Sequence, residues 1–132
     1  MKKRAREYLD DIGVRVPSIG AEVARMSGGQ RQAIAIARST HSDARIILLD
    51  EPLAAMGARE GALIIELIEE LRRSSDVSMI VIAHNYVHVL EMCDRVNLLR
   101  NGRIMLDKPT NETSVEELTE IVAAEYRLTK TA

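Results

Sequence analysis

The sequence has no tryptophan and no phenylalanine, and its three tyrosines leave aromatic residues at 2% of 132. Its core must therefore be aliphatic, and stacking of bases on aromatic platforms has almost nothing to work with. A single cysteine, Cys93, excludes an internal disulfide. The longest apolar runs, such as "VSMIVIA", fall far short of the roughly 18–20 residues that span a bilayer, so direct membrane insertion is not expected. No charged start followed by an apolar stretch suggests a leader, and the expected compartment is the cytoplasm. Nor does one charge dominate: 18 basic against 20 acidic residues give −2. That balance supplies no field to draw in nucleic acid or an anionic membrane. What remains, 46% hydrophobic and 29% charged, is the composition of an ordinary globular protein, and the length is that of one domain or part of one.

The first stretch, "KKRAREYLDDIG", predicts a short charged helix stopped by Gly13, and "VPSIGAEVARM" a connection punctuated by Pro and Gly with a short helix within it. "SGGQRQAIAIAR" could alternate as a strand, but its alanines and its opening favour a helix from about residue 28 to 40. That helix is apolar nearly all round, which predicts burial. "RIILLD" and "VSMIVIA" are continuous aliphatic runs, the pattern of parallel strands covered on both faces. Between them, Ile64, Leu67, Ile68 and Leu71 recur at helical spacing. A short helix over "NYVHVLEMC" precedes a hairpin, "RVNLLR-NG-RIMLD", whose Asn101-Gly102 suits a type I′ turn. Ser114 and Glu117 make a capping box for a last helix. The plan is α/β, without an internal repeat.

Three stretches carry chemistry. In "SGGQ", Ser27 and Gln30 can cap a helix reciprocally, which is the plain structural explanation. Capping alone does not require Gly28 and Gly29, each costing about 1 kcal/mol against alanine in a helix. Glycines there expose backbone N–H groups at the positive end of the helix dipole and leave room for a phosphate. Asp50 and Glu51 end a buried strand, and in parallel α/β sheets that end faces the ligand crevice. One carboxylate can hold Mg²⁺ and the other can orient or deprotonate a water, although an acidic pair capping the turn at Pro52 is the commoner occurrence. His84 ends the second strand and so reaches the same crevice, where an imidazole can hydrogen-bond a transferring phosphoryl group; a satisfied turn histidine is the alternative. His84 and His88 have H-x-x-x-H spacing, but the intervening "NYV" lacks the glutamate of a zinc-protease helix.

Taken together and in this order, "MSGGQRQAIAIAR", "IILLDEP" and "VIAHN" resemble the C-terminal half of the ATP-binding subunit of ABC transporters, over nearly the whole chain. The resemblance implies a partial P-loop NTPase core with parallel strands, flanking helices and a C-terminal hairpin. Residues 1–42 would end the helical subdomain with its signature motif. Residues 43–132 would carry the Walker B strand, the D-loop, the switch histidine and the closing hairpin and helix. Ser27, Gly28, Gly29 and Gln30 then correspond to the signature that contacts the γ-phosphate of ATP on an opposing subunit. Asp50 corresponds to the Mg²⁺-binding Walker B aspartate, Glu51 to the catalytic glutamate and His84 to the switch histidine. The implied partners are a second nucleotide-binding subunit and transmembrane permease subunits. The implied location is peripheral, at the inner face of the cell membrane, with no role for nucleic acid. Where the family's D-loop usually ends "SALD", "AAMG" sets Gly57 at the aspartate position, as in importers of ribose, xylose and fructose. Leu53 and Met26 replace a common Thr and Leu without removing a charge that the chemistry needs.

G-x-x-x-x-G-K-[ST] does not occur in the 132 residues; the lysines are Lys2, Lys3, Lys108 and Lys130, and none follows a glycine. The family's phosphate-cradling loop, base-stacking aromatic and Q-loop belong upstream of the stretch present here. The expectation is negligible ATPase activity for this chain alone, with unpaired sheet edges where a strand is missing. The preferred function is the ATP-hydrolysing part of a monosaccharide importer. Two alternatives stand beside it: a catalytically inactive module lending its signature helix in trans, and part of an ABC ATPase not engaged in transport.

Overall fold

A computed structural model describes residues 2–41, 44–74 and 76–130. The chain divides after Ile82 into two compact units. The subdomain boundary expected between residues 42 and 43 lies outside the described residues.

In the first unit, α1 (Lys2–Asp11) is wholly surface-borne and ends where Gly13 adopts φ +74°, with the Val14 N–H donating to the Leu9 carbonyl at 2.7 Å. Only a residue without a Cβ takes that left-handed turn cheaply. A single 3₁₀ turn at Val23–Arg25 leads to α2 (Gly28–Thr40), whose bounds match the sequence expectation. Its burial does not. Ile36 and Ala37 are buried while Ala35 and Arg38 are exposed, so α2 is amphipathic, with Ala33 half-buried and Ala35 on its open side.

β1 (Ile46–Asp50) pairs in parallel with β2 (Ser78–Ile82), joined by α3 (Ala58–Ser74). On α3, Ile64, Leu67, Ile68 and Leu71 are all buried, together with Ile65, and the helix packs against α2. The strands depart from the expected cover on both faces. Ile47 and Leu49 are buried, but Ile46, Leu48, Ile80 and Ile82 are exposed. The continuous aliphatic run is that of an interior parallel strand, yet among the described residues only its Ile47–Leu49 side is buried.

In the second unit, α4 (Tyr86–Met92) precedes β3 (Arg95–Arg100) and β4 (Arg103–Pro109), an antiparallel hairpin with a register shift at Leu98/Leu99. Asn101 and Gly102 take φ +47° and +75°, as a type I′ turn requires. Val89, Val96, Leu106 and Leu118 form its aliphatic core beneath α5 (Val115–Lys130). The Ser114 hydroxyl accepts from the Glu117 N–H at 3.2 Å, so the cap forms. The Glu117 carboxylate, however, turns to Lys108 Nζ at 2.6 Å and the Thr113 hydroxyl at 2.8 Å. Among the described residues no helix is long and apolar enough to cross a membrane.

Candidate functional site

The N-terminus of α2 is built by its own first residues. Ser27, in extended backbone, is the N-cap: its Oγ accepts from the Gln30 N–H at 3.3 Å and Gln30 Oε1 accepts from the Ser27 N–H at 3.1 Å. A cap of this kind is worth about 1 kcal/mol. It also leaves the N–H groups of Gly28 and Gly29, the first two of the helix, without intrahelical acceptors. The two glycines differ in surroundings. A Cβ on Gly28 would meet nothing within 4 Å, whereas one on Gly29 would lie 3.2 Å from the Cβ of Glu60 on α3. Open space over one glycine, at the positive end of a helix of 13 residues, fits an approaching phosphate. Ser27, Gly29 and Gln30 border a groove of about 890 Å³ shared with Arg59 and Glu60 at the start of α3.

The strand-end carboxylates sit next to a constrained turn. Asp50, exposed, is the last residue of β1 and lies in register with Ile82 at the end of β2. Glu51 follows at φ +47°, its N–H donating to the Ile82 carbonyl at 2.8 Å and its own carbonyl accepting from the Ala54 N–H at 3.0 Å. Pro52, fully buried, occupies the second position of that turn, where its fixed φ is favourable. Thus the Glu51 backbone is held on both sides in a conformation that side-chain-bearing residues seldom adopt. Among the described residues no three His, Cys, Asp or Glu side chains converge on a common point. A lone Asp50 carboxylate still fits Mg²⁺, which binds through one or two carboxylates and retains waters or substrate phosphates.

His84 belongs to the second unit and is exposed, two residues beyond Ile82 and directly before Asn85, the N-cap of α4. The Asn85 side chain accepts from the His88 N–H at 3.3 Å. Sequence reasoning did not single out Arg59 and Glu60, because their stretch was legible only through the apolar spacing of the buried face. Their nearness to "SGGQ" depends on how α3 crosses α2.

Residues 1–54 match the ABC transporter family model. The xylose/arabinose import ATP-binding protein XylG of Sulfolobus acidocaldarius is 37% identical over 94% of this chain and 49% of its own length. The fructose import ATP-binding protein FrcA of Rhizobium meliloti is 38% identical over 78% of this chain and 40% of its own. A solved ABC transporter in an inward-facing conformation superposes with a TM-score of 0.79 at 27% identity, over 92% of this chain and 48% of that one. The fold is therefore the α/β fold of P-loop ATPase domains. Within that class, the chain belongs to the ATP-binding domains of ABC transporters. It spans about half the length of the XylG relative and less of FrcA.

Proposed function

We propose that this chain forms the signature-helix and Walker B part of an ATP-binding subunit that energises monosaccharide uptake. The observation that carries this reading is its likeness to a xylose/arabinose import ATP-binding protein along 94% of its residues. Bound ATP and Mg²⁺ supply the reactive phosphoanhydride and its charge neutralisation. Asp50, projecting from the end of β1, holds the metal directly or through water. Glu51 orients and deprotonates the attacking water, its position set by the turn that its backbone anchors. His84 would donate a hydrogen bond to the γ-phosphoryl group as it passes from ADP to the water.

The signature Ser27–Gln30 acts in trans, on nucleotide carried by a second nucleotide-binding subunit, through the Gly28 and Gly29 amides that the cap leaves without intrahelical acceptors; the open space over Gly28 supports this reading. Permease subunits provide the membrane passage, which places the protein peripherally at the cytoplasmic face. The test is deletion of the gene followed by uptake of labelled xylose, arabinose, fructose and ribose. Uptake of one of them should fall and be restored by the wild-type gene, while the gene carrying Glu51→Gln restores about 10²-fold less or worse. Unchanged uptake of all four sugars would reject the reading.

A further inference from the structure

The end of α2 that bears the signature amides is held by a neighbouring helix. Ser27 is exposed and Gly28 and Gln30 are half-buried, while Gly29 is buried. A Cβ built on Gly29 lies 3.2 Å from the Cβ of Glu60 on α3, 3.5 Å from its Cγ and 3.8 Å from its Cα. These nearest atoms are all carbons, so what meets Gly29 is the skeleton of Glu60 and not its carboxylate. Glu60 lies in the first turn of α3, where the Gly61 N–H donates to the Gly57 carbonyl at 2.9 Å. One and two turns further along, Ile64 and Ile68 are each 1% exposed, so α3 cannot shift without opening the packed core.

α2 is anchored differently along its length. Met26 is buried just before the cap, but within the helix the other buried residues, Ile36 and Ala37, lie two turns beyond Gly29. At the far end the Tyr8 and Thr40 hydroxyls are hydrogen-bonded. The first turn of α2 therefore takes its place from the crossing at Glu60. We propose that Glu60 is a positioning residue for the signature: its Cβ and Cγ are the stop against which Gly29 rests, and they fix where the Gly28 and Gly29 amides stand. Glycine at 29 lets the helices approach this closely, and the side chain at 60 keeps them from closing further. This role rests on the reading of Ser27–Gln30 as the stretch that meets nucleotide in trans. Misplacing a group that stabilises the transition state by about 1 Å can cost about 10²-fold in rate, so a contact far from the reacting atoms can govern turnover.

The test has two readouts. Complementation of the gene deletion gives the maximal uptake rate and the half-saturating sugar concentration, and ¹⁵N–¹H spectra of the 132-residue chain follow the Gly28 and Gln30 amides. Glu60→Gly removes the stop and should lower the maximal rate by about tenfold or more. The half-saturating concentration should stay within about twofold, because these amides meet nucleotide and not sugar. Glu60→Ala keeps the Cβ and should fall between Glu60→Gly and the wild type. Glu60→Gln keeps the whole skeleton and should retain at least about half of the maximal rate. Gly29→Ala should impair uptake by forcing the helices apart, and combining it with Glu60→Gly moves one methyl-sized group from α3 to α2. The pair should recover about tenfold over the worse single variant, a coupling expected only of residues in contact. Ala62→Gly, exposed and on the opposite side of α3, controls for lost helix propensity and should leave the rate unchanged. In the spectra, Glu60→Gly should move the Gly28 and Gln30 peaks further than Ala62→Gly or Glu60→Gln does. The proposal is overturned if Glu60→Gly costs no more rate than Ala62→Gly, if Glu60→Gln falls as far as Glu60→Gly, if the pair is as impaired as the product of its singles, or if the two peaks stay in place. Uptake of all four sugars unchanged by the deletion rejects the transport reading itself, and the amide peaks then decide the contact on their own.

Discussion

Gly29 on α2 and Glu60 on α3 are pressed together so closely that a Cβ on the glycine would stand 3.2 Å from the glutamate's Cβ, with the Glu60 Cα at 3.8 Å. The adjacent Gly28 faces open space. Two neighbouring glycines in one motif thus answer to different physics. The second is required by helix packing within the fold, whereas no contact among the described residues demands the first. Gly28 is the glycine whose retention points to a ligand.

Alanine substitutions should separate the two. Gly28→Ala should leave stability unchanged or raise it by up to about 1 kcal/mol, through helix propensity. Gly29→Ala gains the same propensity but forces apart two helices at atoms that move only with their backbones. A net loss of about 1 kcal/mol or more is expected. Urea unfolding of both variants checks this, and equal midpoints would refute the division.

Ala55 sits at φ +57° in the exposed loop between β1 and α3. A left-handed conformation costs a residue with a Cβ about 1–2 kcal/mol, and glycine returns part of the gain through its freer unfolded chain. Ala55→Gly should therefore stabilise by about 0.5 kcal/mol, read as a higher urea midpoint. A lower midpoint would mean that the alanine side chain has a packing role there.

Acid should loosen the hairpin and α5 before the rest. Hydrogen bonds from Lys108 and Thr113 hold the Glu117 carboxyl below its ordinary value of 4.5, and the hydrogen bond from Arg95 holds Asp107 below 3.8. The backbone N–H of Glu116 and the Ser114 hydroxyl lower Glu116 in the same way. A carboxylate with a depressed folded-state pKa contributes stability that is fully present above its ordinary value and is lost as pH falls through the folded one. Thermal melts between pH 6 and about 3 should show a falling Tm below about 4.5. Glu117→Gln should flatten that slope; identical slopes would show that the Lys108 contact does not contribute.

The 132-residue polypeptide, purified alone, should release no phosphate from ATP above background. Positioning and charge stabilisation supply most of the catalysis in phosphoryl transfer, and loss of such contacts costs about 10³ or more. Turnover that disappears in Glu51→Gln would contradict this.

The sequence by itself determined what short-range chemistry controls. The start of α2 followed from the Ser27–Gln30 cap, the hairpin turn from Asn101-Gly102, and the buried face of α3 from the spacing of Ile64, Leu67, Ile68 and Leu71. Each of these is decided by residues within a few positions of one another, where hydrogen-bond reach and side-chain period leave few options. The order of "SGGQ", "LLDE" and "AHN" was legible for the same reason, since a motif is a local arrangement. Only the tertiary structure decided which side of β1 and β2 is covered. An aliphatic run announces that a strand belongs inside, but burial depends on which other elements are there to lie against it. It also decided that α2 buries just one face, and that Gly29 serves a contact with Glu60, 31 positions away in the chain. Two helices approach that closely through packing between distant segments, and no local pattern in either helix encodes it.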